Sequence, residues 1–157
     1  MMIVSYLMSE RYGIEAAYVR TLLPLGRSWR QAADRALANL DISASCGWAL
    51  VQAGRLGDNV RQTDLARELD ITAPSLVRLL DQLASAGMIE RIPDVSDRRV
   101  SRIQLTVSGQ AMLKTIEAVL ADLRRAILDG LSDTELAAAL RVSQHIEKRI
   151  ARPAGAA

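Results

Sequence analysis

The sequence predicts a mainly α fold with one small β-hairpin (α+β), and three observations predict it. Two short amphipathic segments, "VRQTDLAREL" and "APSLVRLLDQLASAG", are separated by the break "DIT", the outline of a helix-turn-helix. Directly after them, "MIERI" and "SRIQLT" alternate apolar and polar residues on either side of the polar "PDVSDRRV", as the arms and turn of a hairpin do. Longer stretches with apolar residues at helical spacing lie on both sides, so long helices flank this unit.

Composition fits that class. Half of the 157 residues are hydrophobic, yet aromatics make up 3% and Phe is absent, so the core is built from Leu, Ile, Val and Ala, which favours helices. The length is that of one domain. The formal net charge is only +2, so any case for nucleic acid rests on where charges lie rather than on the overall field. Lys114 and Lys148 are the only lysines, and the arginine excess supplies planar donor forks suited to phosphates and base edges, although a GC-rich genome would produce the same bias. The single Cys46 excludes an intrachain disulfide framework and suits a reducing compartment. The apolar start "MMIVSYLM" is short, lacks a basic flank and runs into "SER", so neither a signal peptide nor a membrane span is expected, and the protein is read as cytoplasmic.

Along residues 10–40, Ile14, Ala17, Leu22, Leu25, Trp29, Ala33, Ala36, Leu37 and Leu40 keep near-helical spacing, with Pro24 marking either a kink or the start of a fresh helix. After a cap at Asp41 or Ser43, a mostly apolar helix runs through "ASCGWALVQAG" and is expected to stop at Gly54 and Gly57. In the second helix of the helix-turn-helix, Thr72 is the expected N-cap, Pro74 sits in the first turn, and Leu76, Leu79, Leu80 and Leu83 form the buried stripe before Gly87. Its opposite face carries Ser75, Arg78, Gln82 and Ser85, short or donor-bearing side chains able to enter a groove. From Thr106 or Ser108 a helix runs to about Gly130 with Leu113, Ile116, Leu120, Leu123 and Ile127 in a heptad-like seam, part of which is expected to meet another chain. "SDTE" at 132–135 reads as a capping box for a last helix through Leu136, Leu140, Ile146 and Ile150.

A hairpin directly after a helix-turn-helix is a wing. The second helix then enters the major groove, and Arg98 and Arg99 at the hairpin tip reach the adjacent minor groove and backbone, with Asp97 able to hold one guanidinium. Taken alone, "SDRR" is an ordinary solvated turn. Residues 61–102 hold seven arginines and seven acids, so the two signs must face different ways for the module to bind DNA.

The stretch "PSLVRLLDQLASAGMIERIPDVSDRRVSRIQLT" resembles the core of the MarR family of winged-helix transcription regulators, and within it the SlyA-like branch. "LGRSWR", "LDISASCGWALV" and "AILDGLSDTELAAAL" extend the resemblance over about residues 22–150. It implies a winged helix-turn-helix lobe at about 43–106, dimerisation helices at about 22–42 and 107–152, an N-terminal extension at 1–20, and one MarR-type domain overall. It further implies a homodimer that presents two recognition helices to palindromic double-stranded DNA, as a repressor or anti-silencing activator. Carried over residue by residue, Pro74, Ser75 and Arg78 face the major groove, Arg98 and Arg99 supply the wing contacts, and Gln62 and Thr63 touch phosphate. Asp70 departs from the glycine common in the turn and Val95 from the proline common in the wing; aspartate tolerates the left-handed conformation, so the turn is expected to survive.

The resemblance also implies a cleft for a small aromatic or phenolic effector, for which Trp29, Trp48 and Arg27 are the candidates, each tryptophan having core packing as its plainer role. Cys46 as a redox sensor and the hairpin as a protein-binding rather than DNA-binding element are the alternatives. One His, one Cys and no glycine-rich phosphate loop leave no basis for an enzyme, a metal site at His145 or a cofactor.

Overall fold

The computed structural model describes residues 2–94 and 101–151, with side chains from Glu10 onward. In chain order the elements are α1 (Met2–Leu37), α2 (Ala44–Leu56), β1 (Val60–Arg61), α3 (Gln62–Leu69), α4 (Ala73–Ser85), β2 (Ile89–Pro93), β3 (Ser101–Leu105), α5 (Val107–Ile127) and α6 (Asp133–Ile150). Two compact units result, residues 1–123 and 124–157. The expected wing residues Val95, Asp97, Arg98 and Arg99 lie outside the described residues. Among the described residues no helix is long and apolar enough to cross a membrane.

The first unit is built on aliphatic side chains, as a chain without Phe requires. Leu37, Leu50, Leu65, Leu76, Leu80, Leu83, Ile103 and Ile116 are its largest fully buried residues, each removal from water contributing roughly 1.5–3 kcal/mol. The expected leucine stripe of α4 is that of the structure: Leu76, Leu79, Leu80 and Leu83 are its buried residues. The α3–α4 turn closes through Asp70, which adopts the left-handed conformation (φ 52°, ψ 47°) that its side chain tolerates. Ser43 rather than Asp41 caps α2, accepting the Cys46 N–H through its hydroxyl.

The sheet is antiparallel in the order β1-β3-β2, with Ile89 opposite Leu105, Arg91 opposite Ile103 and Pro93 opposite Ser101. Proline is tolerated there because β2 is an edge strand, where a missing N–H costs no ladder bond. The third strand, β1, pairs Val60 with Ile103 and Arg61 with Arg102, so Val60 and Arg61 belong to the sheet and not to the helix that sequence pattern assigned them to.

One further expectation is corrected and two are narrowed. Helix α1 runs unbroken through Pro24, so of the two alternatives at that residue the fresh start falls away. Gly54 does not stop α2, which ends at Leu56 with Gly57 (φ 87°) as its cap; Gly54 instead lets α5 approach, since a Cβ there would lie 2.4 Å from Leu113 Cδ2. The seam on α5 is largely internal: Ile116 and Leu120 are buried in the chain's own core, Ile116 against Gly47, and Ile127 alone of the seam is well exposed. The core of so small a lobe is incomplete until α5 covers it.

Thr106 starts α5. Its hydroxyl accepts the Gly109 N–H and donates to the Gly87 carbonyl, tying the helix to the end of α4. In the second unit, Ser132 and Glu135 form the expected capping box, Ser132 N–H donating to Glu135 Oε2 at 2.8 Å and Glu135 N–H to Ser132 Oγ at 3.3 Å. These bonds from the Ser132 side chain and backbone hold the Glu135 carboxyl below its ordinary pKa.

Candidate nucleic-acid interface

Helix α4 is two-sided. Its leucines face the core, and Ala73, Pro74, Ser75, Val77, Arg78, Asp81, Gln82 and Ser85 are exposed. Thr72 occupies the N-cap position, but its hydroxyl makes no bond to the helix backbone; it meets the Ser75 hydroxyl at 3.0 Å, leaving the first N–H groups of α4 open. At the start of α3, Thr63 is exposed and Gln62 half-buried, with Arg61 at the N-cap position. Helix N-termini of this kind attract anions through unsatisfied N–H groups and the helix dipole.

The balance of charge in the lobe is sorted by pairing. Asp64 binds Arg67 at 2.8 Å, Asp81 binds Arg91 at 2.6 Å, and Asp94 binds Arg102. Arg61 and Arg78 make no ion pair among the described residues, so their guanidinium groups remain available to a ligand. The Asp81 pair matters most, because it neutralises an acid that stands on the exposed face of α4 one turn from Arg78.

Next to that face lies a cleft of about 170 Å³ lined by Arg30, Ser45, Trp48, Leu69, Ile71, Ser75 and Leu79. Trp48 is buried; its indole N–H donates to Asp34 Oδ1 at 2.8 Å, and the Arg30 guanidinium lies 4.4 Å from its ring centroid. Of the three residues expected around an effector, Trp48 alone lines this cleft. Arg27 lines a separate, open depression on α1 with Leu22, Leu23, Gly26, Arg30 and Gln31, and half-buried Trp29 lines neither. The reason is helical geometry: Arg30 and Asp34 are one turn apart on the side of α1 that faces Trp48, whereas Trp29 is rotated about 100° from Arg30. The sequence pattern missed Arg30 and Asp34, whose i,i+4 spacing was the available signal.

Cys46 is buried, its thiol donating to Gln82 Oε1 at 3.4 Å across to α4. His145 is exposed on α6, and among the described residues no three His, Cys, Asp or Glu side chains come together as a metal site would require.

A helix-turn-helix followed by a small antiparallel sheet defines a winged helix, a class of nucleic-acid-binding fold. Residues 49–101 match the MarR family. The structure of transcriptional regulator PA3341 is similar with a TM-score of 0.77 and 32% identity, the match covering 85% of this chain and 97% of that one. The fold is shared with MarR family transcription regulator SP03579 (TM-score 0.79, 23% identity, 92% of this chain and 95% of that one). It is also shared with S. aureus MepR in a complex with DNA (TM-score 0.69, 24% identity, 85% of this chain and 96% of that one). The chain belongs to the MarR family of transcription regulators.

Proposed function

We propose that this chain is a DNA-binding regulator that works as a homodimer on a palindromic operator. Helix α4 lies in the major groove, with Pro74, Ser75 and Arg78 toward base edges and Thr72, Gln62 and Thr63 toward phosphate. Arg98 and Arg99, positioned by Asp97, contact the minor groove and adjacent backbone. The single observation that carries this reading is the exposed polar face of α4, on which Arg78 is in no ion pair among the described residues and Asp81, one turn on, is held by Arg91. Apolar side chains exposed along α1 (Leu22, Leu23, Leu25) and, in the other unit, along α6 (Leu140, Val142, Ile150) support the homodimer. The chain then acts on DNA in the cytoplasm, as repressor or anti-silencing activator according to where the operator lies relative to the promoter.

The cleft beside Ser75 is the effector site of this reading. At about 170 Å³ it is smaller than the roughly 300–1,000 Å³ of drug-sized sites and suits one aromatic ring. Trp48 offers a stacking face and Arg30 a cation for a carboxylate or phenolate.

The test is selection of genomic fragments by the purified protein at near-physiological salt, beside Arg78→Ala and Arg98→Ala/Arg99→Ala. Recovery of inverted repeats with half-sites about one helical turn apart, lost in the variants while the dimer persists in sedimentation, is the expected result. Enrichment that survives both variants would refute the assignment of these residues. Absence of any enrichment from apo protein would refute DNA binding.

A further inference from the structure

We propose that Arg102 is a positioning residue for DNA binding, one that clamps the two ends of the 94–101 connection to the start of the helix-turn-helix; this rests on the DNA-binding reading above. Arg102 stands on the central strand β3, opposite Ile92 of β2 and opposite Arg61 of β1. Its Nε donates to Asp94 at the exit of β2, and its Nη1 donates to the Asn59 carbonyl at 2.9 Å, in the turn that leads into β1 and α3. One guanidinium therefore joins Asp94 to Asn59, which lies 43 positions before Arg102 in the chain, and it does so across all three strands.

The surroundings argue against a role in bulk stability. Asp94 is only 3% exposed, and burying a carboxylate costs as much as its ion pair returns, so an apolar pair of similar volume would hold the sheet as well. What an apolar pair would lack is direction. The planar fork fixes two acceptors at set angles, whereas a lysine offers a single charged point on a flexible stem. Asn59 adopts the left-handed region (φ 59°), one of two non-glycine residues among those described to do so, and its carbonyl is the Nη1 acceptor. Past Val60 and Arg61 come Gln62 and Thr63, the phosphate-facing start of α3 in the proposed complex; immediately after Asp94 comes the segment carrying Arg98 and Arg99. The clamp thus sets both backbone-contacting segments from one point, and the phosphates they reach belong to one duplex whose spacing is fixed.

Two variants separate positioning from stability: Arg102→Lys keeps the charge beside Asp94 and forfeits the fork, and Arg102→Met/Asp94→Leu removes both charges so that no orphan carboxylate remains. Each is titrated by fluorescence anisotropy against a mixed-sequence duplex of roughly 30 base pairs over a range of salt, alone and combined with Arg98→Ala/Arg99→Ala. The expected result is a thermal midpoint near that of the parent chain, an affinity lower by roughly ten-fold or more, a salt slope smaller by about two, and no further loss in the combined variants. Undiminished affinity, or a loss that adds in full to that of the wing variant, would overturn the proposal. Amide hydrogen exchange across residues 88–106 without DNA keeps the two readings apart. If the parent chain binds no duplex, the DNA-binding reading falls, and exchange still decides the clamp: faster exchange in the variants supports it, and unchanged exchange overturns it.

Discussion

Three glycines carry the same substitution to three different outcomes, and Gly109→Ala is the most severe. A Cβ at Gly109 would lie 1.9 Å from the Met88 carbonyl oxygen, and it must be pushed beyond 3.0 Å before the contact resembles any real one. The clashing atom is backbone, so no rotamer change relieves it. Moving that carbonyl also disturbs its bond from the Thr106 N–H (3.1 Å) and the neighbouring bond from the Thr106 hydroxyl to the Gly87 carbonyl (2.6 Å). Overpacking typically costs about 1–3 kcal/mol, a lost hydrogen bond about 1 more, and the better helix propensity of alanine returns at most about 1. The net is a destabilisation of about 1–3 kcal/mol, which lowers Tm by roughly 2–12 °C for a chain of this size. At Gly54 the obstacle is the end of the Leu113 side chain at 2.4 Å, which can rotate, so Gly54→Ala is expected within about 1 kcal/mol of neutral. At Gly26, on α1, nothing lies within 4 Å, and Gly26→Ala gains the full propensity difference of about 0.5–1 kcal/mol. Urea unfolding of the three variants at one fixed protein concentration gives the order directly. Equal midpoints for Gly109→Ala and Gly26→Ala would refute the close approach of α5 to the α4–β2 turn.

Glu135→Gln tests the capping box through pH: because the folded carboxyl titrates below its ordinary value, its contribution is complete above that value and fades as pH falls through the lowered one. The variant should therefore lose that part of the acid dependence of helix content followed by circular dichroism. Asp70→Gly is expected to be neutral or stabilising by up to about 1 kcal/mol and Asp70→Val to destabilise by about 1–2 kcal/mol, read from the same urea curves, because φ of 52° is open to glycine and closed to a β-branched residue. Trp48→Phe keeps an aromatic ring but loses the indole N–H that Asp34 accepts; it should cost about 1–2 kcal/mol in unfolding and abolish the quenching of the protein's tryptophan fluorescence by benzoate-like ligands, and a quench that persists through Trp29 would move the ligand elsewhere.

The helix-turn-helix was legible because each of its parts leaves a mark at fixed spacing. Leu76, Leu79, Leu80 and Leu83 fall on one face, Thr72 and Pro74 mark the start, and Asp70 marks the turn. The hairpin arms were legible for the same reason. Strand β1 was not, since two residues cannot display an alternation, and Val60 and Arg61 join the sheet only because β3 supplies a partner more than 40 residues later. Gly54 was misread because the sequence records only the missing side chain; that the gap admits Leu113 is a fact of tertiary packing. The seam on α5 was seen, but periodicity says only that a stripe is covered, and it was the chain's own α2 that supplied Gly47 to meet Ile116.

The charged residues follow a different logic. Counting seven arginines against seven acids over residues 61–102 gave no net field, and a count carries no information about pairing. In the structure one pair, Asp64 with Arg67, lies within α3, and two run between elements: Asp81 of α4 to Arg91 of β2, and Asp94 to Arg102 across the hairpin. Pairing leaves each residue charged in name while cancelling its field at a distance, and Arg78 on the outer face of α4 is in no such pair among the described residues. The same helix presents Ser75 and Leu79 to the cleft beside Trp48, so a ligand of the proposed kind would bear on the turn that starts the exposed face. Because packed side chains yield as units rather than by small continuous deformation, a ligand there would act on the direction of α4, and the ring stacked under Arg30 is the natural point at which to look for that coupling.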